Sequence, residues 1–362
     1  MNIAKATARY EDWLGRHLTL IESDLQQKHE QMAVAVFPFL RATYYRWAQT
    51  WADICGEAAR APKVLAVGDL HVENFGTWRD IEGRLIWGIN DLDEACPMPF
   101  TNDLIRLAVS ALLSLERDDR TVCDAILGGY KDAIEAGGRP FALAEHHHSL
   151  RLMATARLHE PEKFWDKLHN LPPVKEKVPA GVLKALARMM PEYGLPFSVV
   201  HRVAGLGSLG RQRFVAIAEW HGGSVAREAK ALAPSACIWA KDGGKARIRY
   251  QELLDTAVRC PDPFVRLKAQ WIVRRLAPDC SRVELASLPA ERNEERLLNA
   301  MGFETANVHL GSIKPGALAA GLKRLPRGWL LESARAMRKA VSADWEDWRQ
   351  AQSRAPKEAR PA

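Results

Sequence analysis

The sequence predicts an α+β protein in which helical regions at both ends flank a strand-rich middle part. Apolar residues recur at helical spacing in residues 11–25 and again near the end of the chain, at Val341, Trp345 and Trp348. Residues 198–240 instead hold apolar and β-branched runs that glycine-containing turns separate, a pattern typical of antiparallel strands. With 362 residues, the chain is long enough for about two or three domains.

The helical start of the chain leads into a short strand and a hairpin. Residues 63–67, Lys-Val-Leu-Ala-Val, predict a short buried strand. Residues 74–79 and 84–89 flank the polar turn Asp-Ile-Glu-Gly, which predicts a β-hairpin. Such a hairpin returns the chain, so we expect Asp91 to lie close to the loop that follows the first strand.

Three oxygen-bearing side chains in this region have the chemistry of a phosphoryl-transfer site. Asp69 follows the first strand, Asn74 closes the loop after it, and Asp91 follows the hairpin. Mg²⁺ takes oxygen ligands and usually keeps waters, so one carboxylate and one amide suffice beside substrate phosphates. Asp69 is then free to accept a proton from an attacking hydroxyl.

At these residues the chain resembles the protein-kinase-like superfamily, and most closely its aminoglycoside-phosphotransferase branch. The shared pattern is a Gly-Asp-Leu-His-x-x-Asn loop, a hairpin and an Asp-hydrophobic-Asp element. The resemblance implies that Asp69 is the catalytic-loop aspartate and that Asn74 and Asp91 bind the metal. It also implies a later structural aspartate at Asp103, on a predicted helix over residues 103–115.

For two neighbouring residues the sequence leaves two alternative roles open. His71 either lines the site or fills the loop. Asp93 is either a second metal ligand or a turn residue.

A glycine-rich run lies far downstream, at residues 205–210, Gly-Leu-Gly-Ser-Leu-Gly. Predicted strands precede and follow it, and strand, glycine loop, strand is the arrangement of a kinase phosphate-covering loop. Glycines there allow the backbone to approach phosphate oxygens. The candidate nucleotide-binding residues are Gly205, Gly207, Ser208 and Gly210.

A third predicted strand, over residues 225–231, carries Lys230. The resemblance implies that this lysine pairs with the α- and β-phosphates of the nucleotide, with Lys241 and Arg227 as alternatives. Glu252 is the best candidate for a glutamate partner of the lysine.

The order of these parts differs from the usual kinase order, in which the glycine loop and lysine precede the catalytic loop. Residues 297–312 resemble the helix end that normally runs into the catalytic loop. We therefore expect a two-lobed, protein-kinase-like fold that is circularly permuted, with the catalytic helical lobe first and the glycine-loop sheet lobe second.

A wider pattern resembles an uncharacterised bacterial family, domain of unknown function 2252. Its elements are residues 37–41, 90–95 and 103–108, and the resemblance covers most of the chain. The family implies no activity.

These observations divide the chain into five predicted parts. They are an N-terminal helical segment (1–60), a catalytic-loop and helical body (61–195), a sheet-rich glycine-loop lobe (196–285), C-terminal helices (286–350) and a frayed tail (351–362).

Composition restricts the partners and the compartment. Six widely spaced cysteines without a Cys-x-x-Cys pair argue against zinc and a disulfide framework, and suit a reducing compartment. There is neither a secretory signal pattern nor a membrane-length apolar run, so we expect a cytoplasmic protein without membrane contact. The net charge of +7 suits anionic ligands, whereas the scattered basic residues do not favour nucleic acid.

The functional hypothesis is an ATP- and Mg²⁺-dependent phosphotransferase that acts on a hydroxyl of an unknown small-molecule or protein acceptor. Two alternatives stay open. A metal-dependent phosphohydrolase is one, because Gly68-Asp69-x-His71 matches part of such a signature. A catalytically silent nucleotide-binding module is the other.

Overall fold

The start of the chain is helical, as predicted, but it forms four helices, and the stretch 11–25 with helical spacing is interrupted at residues 16–21. The computed structural model describes residues 1–143, 147–155, 160–241, 246–280 and 294–354. Apolar positions of the first and fourth helices face the core, including Tyr10, Leu14, Trp47 and Trp51. The bounds are Ile3–Gly15 (α1), Glu22–Val34 (α2), Val36–Ala42 (α3) and Tyr44–Cys55 (α4).

The predicted strand and hairpin follow, and both are confirmed. The hairpin turn is fixed by Asp80, whose Oδ1 accepts hydrogen bonds from the backbone N–H groups of Glu82 and Arg84. Gly83 in this turn has φ +73°, a conformation that favours glycine. The strands are Lys63–Ala66 (β1), Phe75–Arg79 (β2), Leu85–Ile89 (β3) and Cys96–Pro99 (β4), of which β4 was not predicted.

Two small sheets position this region. Strand β1 pairs antiparallel with β4, and β2 pairs antiparallel with β3. A short strand, β5, extends the hairpin to three strands in the order β2-β3-β5. The remaining elements of this part are Thr101–Ser114 (α5), Asp119–Ala136 (α6), Phe141–Ala142 (β5), His148–Thr155 (α7), Pro161–His169 (α8) and Ala180–Met189 (α9).

The middle of the chain forms a five-stranded antiparallel sheet in the order β6-β7-β8-β10-β9. The glycine run lies between the first two of these strands, and Lys230 lies near the end of the third. The elements are Ser198–His201 (β6), Arg213–Trp220 (β7), Gly223–Ala231 (β8), Ala236–Ala240 (α10), Tyr250–Thr256 (α11), Val265–Lys268 (β9) and Trp271–Leu276 (β10).

Three helices complete the chain: Glu294–Leu310 (α12), Pro315–Arg324 (α13) and Trp329–Arg354 (α14). Helix α14 continues through residues 351–354 of the predicted tail, and residues 355–362 lie outside the described part of the chain. Although α14 is 26 residues long, no helix among the described residues is long and apolar enough to cross a membrane.

Helices α6 and α12 pack closely through glycine. A Cβ on Gly302 would lie 2.0 Å from the backbone oxygen of Ile126, and a Cβ on Gly129 would lie 1.8 Å from that of Asn299. Each helix therefore touches the backbone of the other. The end of α12 also reaches β1, where Ser312 Oγ accepts a hydrogen bond from the Leu65 N–H at 2.8 Å.

One expectation from cysteine spacing needs correction. Cys96, at the start of β4, and Cys237, in α10, form a disulfide across a sequence separation of 141 residues. The spacing argument considers neighbours along the chain, so it gives no information about two cysteines that the fold brings together. The disulfide links the segment after Asp93 to the segment after Lys230.

Candidate active site

Asp103, in the first turn of α5, fixes the backbone of the loop that carries Asp69. The Asp103 carboxylate accepts hydrogen bonds from the backbone N–H groups of Val67 and Gly68, at 2.7 and 3.0 Å. Its Oδ2 also lies 3.0 Å from His309 Nε2 at the end of α12. Asp103 and His309 are fully buried. The loop therefore has one fixed position relative to two core helices.

Arg106 orients the Asp69 side chain. Its Nε donates to Asp69 Oδ1 at 2.8 Å, and its Nη2 donates to the same oxygen and to the Leu40 carbonyl. The guanidinium is completely buried between the rings of Tyr44 and Trp47, 5.0 and 4.9 Å from their centroids. Arg106 is thus locked by packing on both faces, and Asp69 is locked with it.

The electrostatic state of Asp69 reflects two opposing effects. Burial raises the pKa of its carboxyl to about 7, and the nearby Arg106 guanidinium acts in the opposite direction. The neighbouring carboxylates of Glu94 and Asp91 raise the pKa further. An acid with a pKa near neutrality is suited to exchange protons with a substrate.

Asn74 and His71 close the loop in a single turn of 3₁₀-helix over Val72–Asn74. Asn74 Oδ1 accepts a hydrogen bond from the His71 N–H at 2.6 Å, and His71 Nδ1 accepts one from the Glu73 N–H at 3.2 Å. The Asn74 backbone oxygen then accepts from the Asn90 N–H at 2.9 Å. That bond brings the end of the hairpin, and so Asp91, beside the loop as predicted.

Asp91 and Asp93 face two cationic side chains, Lys230 of β8 and Arg211, which lies two residues before β7. Lys230 Nζ lies 2.6 Å from Asp93 Oδ2 and 3.5 Å from Asp91 Oδ1, and its side chain is only 3% exposed. Arg211 Nη1 lies 3.5 Å from the same Asp93 oxygen. Burial, followed by the charge of Asp91, raises the pKa of the Asp93 carboxyl. Asp93 Oδ1 is buried without a hydrogen-bond partner among the described residues.

The glycine loop lies directly over Asp69. A Cβ on Gly207 would lie 3.4 Å from Asp69 Oδ2 and 3.0 Å from the Arg41 backbone oxygen, so a side chain there would fill the site. Gly205 has φ +77°, and Ser208 Oγ accepts a hydrogen bond from Arg213 Nη2 at 2.7 Å. Gly210 lies elsewhere: its backbone oxygen accepts from the Ile21 N–H at 2.8 Å.

Two adjacent cavities result. The smaller, of about 40 Å³, is lined by the predicted residues Asp69, His71, Asn74, Asp91, Asp93, Gly205, Gly207 and Ser208, together with Arg41, Val67, Glu94, Leu206 and Arg211. The larger, of about 390 Å³, shares Asp91 and Gly205 with the smaller one. The structure thus joins residues from the two distant segments in one site.

Several residues of the site are marked by no motif or periodicity in the sequence. Arg106 lies among the buried positions of α5, and its place in that helix gives no sign of a functional role. Arg211 forms an ion pair with Glu94 at 3.2 Å, between two segments that are distant in sequence. Glu228, two residues before Lys230, is the buried partner of three arginines. The proposed pairing of Lys230 with Glu252 is wrong, because Glu252 pairs with Arg249 at 2.8 Å.

Comparison with known proteins gives one match. The model of a family described as "Uncharacterized protein conserved in bacteria (DUF2252)" matches residues 20–171, which is less than half of the chain rather than most of it. No curated protein and no solved structure matches significantly. The matched segment includes Asp69, Asn74 and Asp91, whereas the glycine loop and Lys230 lie beyond it. Over residues 20–171 the predicted resemblance to that bacterial family is confirmed.

Proposed function

We propose that the chain is an ATP- and Mg²⁺-dependent phosphotransferase that transfers the γ-phosphoryl group to a hydroxyl of an acceptor. One observation carries the proposal: a glycine loop from a distant segment covers Asp69, with the Gly207 Cβ position 3.4 Å from Asp69 Oδ2. Because Gly207 has no side chain, its backbone can approach the buried carboxylate and the phosphate oxygens that the carboxylate would face.

The surrounding architecture supports a permuted, kinase-like arrangement. The glycine loop joins the first two strands of an antiparallel sheet, and Lys230 on the third strand reaches the Asp91 carboxylate. Helix α12 ends beside β1, where Leu65 and Ser312 are hydrogen-bonded. In an unpermuted chain that helix would continue directly into the loop that carries Asp69. The two segments are thus neighbours in space although 247 residues separate them in sequence.

The chemistry assigns a separate role to each side chain. The acceptor oxygen forms a bond to the γ-phosphorus, the bond between that phosphorus and the ADP oxygen breaks, and the hydroxyl proton passes to Asp69. Because Arg106 occupies Asp69 Oδ1, the proton-accepting atom is Oδ2, which faces the glycine loop. The loop N–H groups position the phosphates, and Lys230, which lines neither cavity, orients Asp91 and Asp93 through its ion pairs with them.

The residues present fit a magnesium ion. Asn74 and Asp91 supply one amide and one carboxylate oxygen, which is the donor type that Mg²⁺ prefers. The buried, unpartnered Asp93 Oδ1 is a third oxygen in the same cavity. Bound there, the ion would offset the negative charge of the phosphates. Among the described residues no three His, Cys, Asp or Glu side chains form a protein-only metal site.

The test is to incubate the full chain with γ-labelled and α-labelled ATP, Mg²⁺ and a library of hydroxyl-bearing acceptors. We expect the γ label to move to an acceptor and ADP to be the nucleotide product. Release of phosphate from simple phosphate esters without nucleotide, with a transition metal bound to the purified protein, would instead identify a phosphohydrolase. Nucleotide binding without turnover across the library would favour the silent module.

A further inference from the structure

The larger cavity is strongly basic. Six cationic side chains line it and only two carboxylates, those of Asp91 and Asp262, do so among the described residues. The cations are Lys167, Arg202, Arg213, Arg259, Arg274 and Arg275. A nucleoside alone requires no such charge. The lining therefore points to an anionic group in this cavity, beyond the phosphates at the glycine loop.

Three of these arginines are held in place by one buried acid. Glu228 is fully buried and forms ion pairs with Arg213 at 3.1 Å, with Arg274 at 2.8 Å and with Arg202. The three guanidinium groups hold the pKa of the Glu228 carboxyl well below its usual range. One negative charge thus fixes three positive ones. With Glu228 and with Asp279, which lies 3.6 Å from Arg275, included, the cavity keeps an excess of two positive charges among the described residues.

Arg259 and Arg275 are held by stacking on aromatic rings, and Arg275 Nη2 also lies 3.6 Å from Asp279 Oδ2. The Arg259 guanidinium lies 4.7 Å from the Trp78 ring centroid, and that of Arg275 lies 4.5 Å from the Phe264 centroid. The Nε atoms of both are buried without a hydrogen-bond partner among the described residues. Guanidinium groups that are pre-oriented and under-bonded suit bidentate binding of phosphate oxygens.

We propose that the larger cavity is an anion subsite that binds a phosphate or polyphosphate group of a ligand. The proposal rests on the proposed function for the position of the transferred phosphoryl group, and it adds that a phosphate group of a substrate binds in the larger cavity. Two sources share this chemistry: the phosphates of the nucleotide itself, or those of a phosphorylated acceptor. The cavity volume of about 390 Å³ is in the range of small-molecule sites.

The test measures the melting temperature of the full chain with inorganic pyrophosphate at constant ionic strength, with EDTA present so that no metal site contributes. We expect a saturable rise with pyrophosphate and none with adenosine. Arg259→Gln and Arg275→Gln should each weaken pyrophosphate binding roughly tenfold. Arg259→Lys should retain part of the binding because it keeps the charge.

The matched control is Arg188→Gln, which removes an exposed arginine on α9 and should leave pyrophosphate binding unchanged. No saturable rise in the wild type, or equal binding in all variants, would overturn the subsite. The source is then identified by adding ATP with Mg²⁺ in place of EDTA: competition identifies the nucleotide's own phosphates, and additive stabilisation identifies a phosphorylated acceptor. Pyrophosphate binding without any ATP binding would sustain the subsite and reject the proposed function, so the two failures are distinguishable.

Discussion

Asp69→Asn is expected to slow phosphoryl transfer by about 10²- to 10⁴-fold, the usual contribution of a positioned general base. The asparagine keeps the shape of the side chain and can still accept the hydrogen bonds of Arg106 through its Oδ1. It cannot accept the proton of the acceptor hydroxyl. Folding and ATP binding should therefore persist, which circular dichroism and calorimetric titration can check beside the γ-label assay.

The pH dependence of the wild type gives an independent check on the same residue. Since burial raises the pKa of the Asp69 carboxyl to about 7, the required carboxylate form increases as pH rises through that value. We expect transfer to increase with pH below about 7 and to level off above it. Asp53→Asn, at an exposed position, is the matched control and should behave as the wild type. Turnover in Asp69→Asn within threefold of normal would remove Asp69 from the mechanism.

Gly302→Ala is expected to destabilise the protein by about 4 kcal/mol or more, a range that single substitutions reach only through severe overpacking or similar causes. The added methyl group would lie 2.0 Å from the Ile126 oxygen, and backbone cannot move aside as a flexible side chain can. Helices α6 and α12 would have to separate. Urea denaturation measures the loss directly.

Gly181→Ala provides the contrast, because nothing lies within 4 Å of a Cβ at that exposed position in α9. There the substitution should be neutral or should stabilise by up to about 1 kcal/mol, the usual helix preference for alanine over glycine. Equal stability of the two variants would mean that α6 and α12 are not in backbone contact. Because α12 also carries His309, which supports Asp103, we expect Gly302→Ala to disturb the site as well.

Local patterns predicted the parts of the site that are close in sequence. The apolar run of β1 and the polar turn of the hairpin predicted both elements, and the hairpin explains why Asp91 returns to Asn74. Strand propensity on both sides of the glycine run predicted that it joins two strands, and it lies between β6 and β7. These features depend on hydrogen bonds between residues near one another in the chain, which a single sequence records.

The remaining features depend on contacts between distant segments. In the sequence, Arg106 is one residue within a predicted buried helix. Only the fold shows that its guanidinium forms an ion pair with Asp69. The pairing of Lys230 with Asp93 instead of Glu252 has the same origin, as does the Cys96–Cys237 disulfide. A buried ion pair between distant segments has no periodicity of its own, so pattern analysis of one chain does not find it.

In the proposed mechanism, Asp91 helps to hold a metal ion against nucleotide phosphates between the two segments. The most direct measurement is a thermal-shift titration of wild type and Asp91→Ala with ATP, with and without Mg²⁺. Ligand that binds only the folded state raises the melting temperature with its concentration. We predict a rise in the wild type that requires Mg²⁺ and is lost in Asp91→Ala. No shift with any nucleotide, or an equal shift in the variant, would contradict the account.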